Sequence, residues 1–234
     1  MSQTRKGMAG LTAVLVTFAL CLPALAHAAE TVVVIPAPAV DNPKVAGPLQ
    51  TAVLAGGCFW GAQGVYQHVR GVRKVLSGYA GGTKATADYH TVSRGDTRHA
   101  ESVEIRFDPK EVSYGEILQI FFSVVHDPTQ LDRQGPDTGT QYRSNIFFVD
   151  DAQRKLAQAY IVQLDKTRLF GRPIVTRIDP LEGFYPAEAY HQDFLINHAE
   201  DPYIVINDLP KIENFQKLFP ALYRDQAVTV KNSN

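Results

Sequence analysis

A short apolar run, Thr51-Ala-Val-Leu-Ala55, stops at Gly56-Gly57 and gives way at once to a different period. The run reads as a buried strand. Over residues 58–69, Phe59, Ala62, Val65 and Val69 fall on one side of a helix. Residues 72–79 alternate and read as a second strand, closed by Gly81-Gly82. Residues 102–107 alternate again through Val103, Ile105 and Phe107, up to Asp108-Pro109. Ser113 with Glu116 three residues on forms a capping box, so a helix begins there with Ile117, Leu118, Phe121, Phe122 and Val125 as its apolar face. The pattern then gives a strand at 144–149, a helix at 151–169, a strand at 174–178 and a helix at 187–197. Such alternation specifies a sheet with helices packed on it, α/β or α+β. The Gly- and polar-rich stretches 80–100 and 127–142 read as long loops, which in a compact domain are usually functional.

The chain has 234 residues, 45 % hydrophobic and 20 % charged, enough for one ordinary domain with a real core. Its formal net charge of −1 gives no general attraction for nucleic acid or anionic lipid, and no Lys/Arg run suggests such a patch. Arg5 and Lys6 precede a nearly unbroken apolar stretch over 11–25, followed by small residues that suit cleavage. Residues 1–28 therefore read as a secretory signal peptide, and an exported, periplasmic or secreted location is expected. The apolar stretch falls short of the roughly 20 residues a spanning helix needs, so no stable membrane insertion is expected after cleavage. Residues 29–50 carry Pro36, Pro38, Pro43 and Pro48 and read as a Pro-rich linker. The folded domain is expected over 51–225, with 226–234 as a flexible tail. Cleavage would remove Cys21 and leave Cys58 as the one cysteine, a free thiol without an internal disulfide partner.

Cys58 follows a strand and two glycines at the first turn of a helix. Unpaired N–H groups and the helix dipole favour a thiolate there. A small buried, inert cysteine fits the same position, and position alone leaves both readings open. Glu101 follows a loop and enters a strand. In a dry pocket its carboxyl would stay protonated and could donate a proton; on a wet edge it would be an ordinary carboxylate. Tyr89 and Tyr142 can offer phenolic hydrogen bonds or simply pack. Phe59 and Trp60 can line an apolar pocket beside the thiol or belong to the core. Other signals fail. His99-Ala-Glu101 has no Cys-x-x-Cys partner for a deaminase zinc site, and His191 and His198 have the wrong spacing for a helical zinc pair, so no metal is expected.

Five blocks occur in order: Gly57-Cys-Phe-Trp-Gly61, Gly78-Tyr-Ala-Gly-Gly82, Gly95-Asp-Thr-Arg-His-Ala-Glu101, His126-Asp-Pro-Thr129 and Gly139-Thr-Gln-Tyr-Arg-Ser144. Together they closely resemble peptide methionine sulfoxide reductase A, over roughly residues 51–219. The fold expected with that resemblance is α+β: a mixed β-sheet packed with helices in two layers, a ferredoxin-like core elaborated by long loops. The resemblance implies an oxidoreductase that reduces methionine S-sulfoxide, protein-bound or free. It makes Cys58 the nucleophile, Glu101 the proton donor, and Tyr89 and Tyr142 the holders of the sulfoxide oxygen. It makes Phe59 and Trp60 the receivers of the substrate methyl and Asp137 an orienting carboxylate. Here Asp137 follows Gly135-Pro136, and the proline removes one backbone donor.

Many relatives carry resolving cysteines near the C-terminus; from His198 to Asn234 this chain has none. It looks like the one-cysteine branch, in which a Cys58 sulfenic acid must be reduced from outside. No bound cofactor is expected. The implied reductant is an external thiol: a thioredoxin-like protein, a glutathione-type thiol or dithiothreitol. Arg98 also stands where relatives usually have glycine. A thiol peroxidase would use the same cysteine but needs no aromatic methyl pocket, and a non-catalytic binder of oxidised methionine needs no Glu101.

Overall fold

The computed structural model describes residues 32–233, so the expected signal peptide and Cys21 lie outside the described residues. The strand read at 51–55 is β1 (Gln50–Gly56), and the helix after the glycines is α1 (Phe59–Gln67). β2 (Val72–Ala80), a one-turn α2 (Tyr89–Val92) and β3 (Ala100–Phe107) follow. α3 (Tyr114–Ile120) starts from the capping box: Ser113 Oγ accepts from the Glu116 N–H, and the Glu116 carboxylate accepts from the Ser113 N–H. A π-turn at Phe121–Val125 extends it. The chain continues through a small hairpin of β4 (Arg133–Gln134) and β5 (Asp137–Thr138) to β6 (Ser144–Phe148) and α4 (Asp151–Thr167). It ends with β7 (Arg177–Pro180), β8 (Phe184–Pro186), a one-turn α5 (Phe194–Asn197) and α6 (Leu209–Leu218).

The large sheet runs β7-β6-β1-β3-β2-β8. Its inner four strands, β6-β1-β3-β2, pair antiparallel, with α1 linking β1 to β2 and α3 on the path from β3 to β6. That is the β-α-β-β-α-β arrangement of a ferredoxin-like core, built on. β7 adds a parallel edge to β6, so the sheet is mixed. Pleat alternation divides the residues between two faces. Leu54, Val103, Ile105 and Ile146 join the main core with Val65, Tyr66, Ile117, Phe122 and Tyr160 from the helices. Val53, Ala55, Ala80, Ala100 and Phe147 form a smaller cluster on the reverse face.

Two elements differ from the sequence reading. The strand expected at 174–178 begins at Arg177, because the Ile174 and Val175 N–H groups are taken by the Asp165 side chain and the Pro128 carbonyl. The helix expected at 187–197 is a 3-10 turn at Ala189–His191 and then the single turn α5. Between them Gln192 reaches the Ser77 backbone of β2, and Asp193 takes a φ of 57°. Its carboxylate accepts from Gln67 Nε2 and the Val230 N–H. A continuous helix would break these bonds. They also pin the segment read as a flexible tail, where the Val228 N–H reaches the Gln67 carbonyl.

The Pro-rich segment has neither helix nor strand over 32–49, yet it is a strap rather than a loose tether. Ile35 is buried, Tyr160 donates to the Pro36 carbonyl, and Gln163 holds the backbone of Ala37 and Ala39. The Asp41 carboxylate accepts from Ser113 Oγ and from the Gly115 N–H, so it adds a second cap to α3. Ser113→Ala should therefore cost about 1–2 kcal/mol, the upper part of the range for a lost N-cap, since one hydroxyl serves both the helix and the strap. Urea unfolding should show a lower midpoint at unchanged slope.

Candidate active site

Cys58 is the N-cap residue of α1. Gly57 before it has a φ of 91°, and a Cβ there would lie 2.6 Å from Gln134 Cβ; only glycine can bring β1 round to the helix start at this spacing. The Trp60 backbone N–H, two residues on, favours the charged form of the thiol without making a cap bond to it. The first helical N–H, that of Phe59, donates instead to Glu101 Oε2 on β3 at 3.1 Å. Glu101 pairs across the sheet with Tyr79 and is 3 % exposed, so the carboxyl sits in a dry place beneath the helix start.

Cys58, Phe59, Trp60, Tyr89, Glu101, Asp137 and Tyr142 all line one cavity of about 200 Å³. Every candidate residue is thus brought together, from α1, α2, β3, the β4–β5 hairpin and the turn at Thr140–Tyr142. Tyr203 lines the same cavity, and sequence reasoning missed it. Its hydroxyl donates to Asp137 Oδ2 at 2.5 Å, which fixes a carboxylate that Pro136 leaves short of backbone donors. The only sequence hint was its place in Asp201-Pro-Tyr203, just before the first exposed apolar pair Val205-Ile206 of the tail.

His191 is a second omission. Its Nδ1 accepts from the Trp60 indole N–H at 3.1 Å, and its ring lies 5.1 Å from Phe59 and 4.4 Å from Tyr89. Phe194 stacks on Trp60 at 3.7 Å and Tyr203 meets it edge-on. The indole is therefore locked on three sides. Arg143 binds the Arg98 and His99 carbonyls and the Thr140 carbonyl, tying the approach to Glu101 to the turn that carries Tyr142. Arg98 sits at a φ of 66°, the left-handed region in which glycine is easier.

The electrostatics correct one expectation. A helix N-terminus favours a thiolate, yet here burial holds the Cys58 thiol well above its ordinary pKa, and Glu101, Asp208 and Asp137 push it further the same way. The Trp60 N–H opposes them. Burial likewise lifts Glu101 to about 8, against the pull of the Phe59 N–H and with help from Asp137 and Asp208. Tyr89 and Tyr142 are raised by burial and then by Glu101, so both phenols are hydrogen-bond donors at neutral pH. The cavity therefore presents a thiol, a protonated carboxyl and two phenols to whatever enters, beside two aromatic rings. Among the described residues no group of three or more His, Cys, Asp or Glu could hold a metal ion.

A family model described as Peptide methionine sulfoxide reductase matches residues 50–222. The chain belongs to that family. It is 58 % identical over 191 residues to peptide methionine sulfoxide reductase MsrA 2 of Mesorhizobium japonicum, covering 82 % of this chain and 98 % of that one. It is 52 % identical to the protein of the same name from Synechocystis, covering 80 % and 88 %. Among solved structures, Mxr1 of Saccharomyces cerevisiae in reduced form matches with a TM-score of 0.59 at 35 % identity, over 65 % of this chain and 87 % of that one. Methionine sulfoxide reductase A of Corynebacterium diphtheriae matches with a TM-score of 0.56 at 33 % identity, over 68 % and 79 %. Membership makes the chain an oxidoreductase that reduces methionine sulfoxide, and its mixed sheet with packed helices is the fold of these neighbours.

The buried carboxyl also leaves a mark on stability. Glu101 is raised in the folded state, so its contribution is full below the ordinary 4.5 and is lost as pH rises through about 8. Glu101→Gln removes that loss. The variant should gain thermal stability relative to wild type as pH is raised from 5 to 8.5. A constant difference in melting temperature across that range would show that Glu101 is not a buried acid.

Proposed function

We propose that the chain reduces the S epimer of methionine sulfoxide, free or within proteins, by a one-cysteine cycle at the Cys58 cavity. The observation that carries this is the convergence of a thiol, a neutral carboxyl, two phenols and an aromatic pair on about 200 Å³. A sulfoxide sulfur is a poor electrophile until its oxygen is protonated or strongly hydrogen-bonded. Tyr89 and Tyr142 hold that oxygen, Phe59 and Trp60 take the methyl group, and Asp137 orients the substrate. Glu101 gives its proton to the oxygen and can then accept the thiol proton, so Cys58 becomes nucleophilic as its target is activated. The Cys58 sulfur attacks the sulfoxide sulfur. Methionine leaves as the thioether, and the oxygen stays on Cys58 as sulfenic acid.

Cys58 is the only cysteine among the described residues, so the cycle is completed by an external thiol. The first thiol displaces water from the sulfenic acid and forms a mixed disulfide; a second thiol frees Cys58. A thioredoxin-fold protein, a glutathione-type thiol or dithiothreitol each meets that need if its sulfur reaches the cavity. The leader-like residues 1–28 support a role in repairing exported proteins, in the periplasm or outside the cell.

Without reductant, each chain should release about one methionine and stop, and dimedone should then add to Cys58. Intact-mass analysis after stoichiometric dabsyl-methionine sulfoxide, with the two epimers resolved, reads both. A Cys58–Cys58 disulfide between two chains would replace the external-thiol step with mutual resolution. Cys58→Ser should abolish methionine release with the circular dichroism spectrum unchanged. Glu101→Gln should slow it by ~10²-fold in a single turnover.

A further inference from the structure

A second cavity, of about 400 Å³, shares no lining residue with the Cys58 cavity, and the reaction scheme uses none of it. Thr140 and Arg143, which flank the turn that carries Tyr142, form part of its wall. Phe147 of the reverse-face cluster and Pro180 of β7 give it an apolar part. Arg98, Arg143 and Arg177 line it together with Asp132 and Asp179. Charged groups drawn into a fold are ordinarily paired. Among the described residues, none of these three arginines makes an ion pair. Arg143 is 8 % exposed and gives its terminal nitrogens to the Arg98, His99 and Thr140 carbonyls, while its Nε–H is buried without a partner. Asp132 Oδ1 is likewise buried without a partner. Burial and then Arg177 disfavour the Arg143 cation, and Asp179 and Asp132 favour it, so charges of both signs are felt together without touching. Gly81 is part of the construction. It has a φ of 92°, and a Cβ there would lie 2.9 Å from Arg143 Nη2 and 3.2 Å from Phe147 Cε1.

The unmatched groups are of two kinds. Arg143 Nε–H and the guanidiniums of Arg98 and Arg177 call for an anion; Asp132 Oδ1 calls for a donor. A simple anion would satisfy only the first kind, and it would share the wall with four carboxylates, since Asp96 and Glu182 line the cavity as well. A guest that carries both charges meets both needs. We propose that this cavity binds a small zwitterion, a free α-amino acid, with its carboxylate toward Arg143 and Arg177 and its ammonium toward Asp132. Phe147 and Pro180 suit an apolar side chain on that guest. Methionine, which the reaction releases, belongs to this class. Both anchors also hold the Tyr142 turn: the Asp132 carbonyl accepts from the Gly139 N–H, and the Arg143 guanidinium donates to the Thr140 carbonyl.

The test is isothermal titration calorimetry of the full chain with L-leucine, which has no sulfur for Cys58 to act on. One leucine should bind per chain. N-acetyl-L-leucine and L-leucinamide each lack one of the two charges and should bind at least about tenfold more weakly, the worth of one charge-assisted hydrogen bond. Arg177→Met should weaken leucine by a similar factor and shrink the penalty for leucinamide. Asp132→Asn should weaken leucine too and shrink the penalty for N-acetyl-leucine instead, an exchange that a merely structural role would not produce. Neither side chain lines the Cys58 cavity or makes a hydrogen bond among the described residues, so single-turnover methionine release should stay at the wild-type rate and report that both variants are folded. N-acetyl-leucine or inorganic phosphate binding as tightly as leucine would make the cavity an anion site and overturn the proposal. So would an absence of leucine binding, or leucine binding unchanged in both variants. All of these outcomes leave the Cys58 cycle intact, which falls only if Cys58→Ser retains activity.

Discussion

The hydrogen bond from the Phe59 N–H to Glu101 joins the centre of the sheet to the first turn of α1, and the site is arranged around it. It satisfies a helix-start donor that a capping side chain would otherwise take, since Cys58 makes no side-chain cap of its own. It also sets an acid beneath the thiol and leaves the Trp60 N–H to favour charge on the sulfur. One contact thus serves helix formation and chemistry together. The cost is a carboxyl kept out of water, and the surrounding packing of Phe59, Tyr79 and His191 is what keeps it there.

Around that bond the site is assembled from pieces that the sheet could not hold alone. β1 and β3 are fixed by antiparallel pairing, but Tyr89, Asp137, Tyr142 and Tyr203 ride on turns. Each turn is tied down by a polar anchor. Asp88 caps α2, and the Tyr89 N–H is held by Glu188, whose carboxylate also takes the Tyr79 hydroxyl. Arg143 binds the Tyr142 turn to the strand of Glu101. Loop residues positioned by a rigid frame are where catalytic groups are commonly found, and here the anchors can be named.

Much of this was legible in the sequence where local chemistry decides. The capping box at Ser113, the run before Gly56-Gly57 and the alternation through Val103, Ile105 and Phe107 each encode their element within a few residues. The site residues were legible only as a set, because no single one departs from ordinary packing in sequence. What stayed hidden depends on partners far along the chain. Residues 187–197 have helical spacing, yet Gln192 and Asp193 are claimed by β2 and α1. The strap looks like a linker because Pro36, Pro38, Pro43 and Pro48 interrupt it and its apolar residues keep no amphipathic period, and its order comes from Tyr160, Gln163 and Ser113. The thiol's protonation could not be read from its place at a helix start, because burial and three carboxyls outweigh the dipole.

The bond between Tyr203 and Asp137 has a temporal side. Cys58 lies early in the domain, while the residue that closes its cavity and fixes the orienting carboxylate lies near the end of it. Such distant pairing forms late, after the intervening chain has folded. During synthesis the thiol is present long before the chamber that tames it. An unfinished chain would expose a bare cysteine to its surroundings, and the finished fold is itself the cysteine's first protection from oxidation.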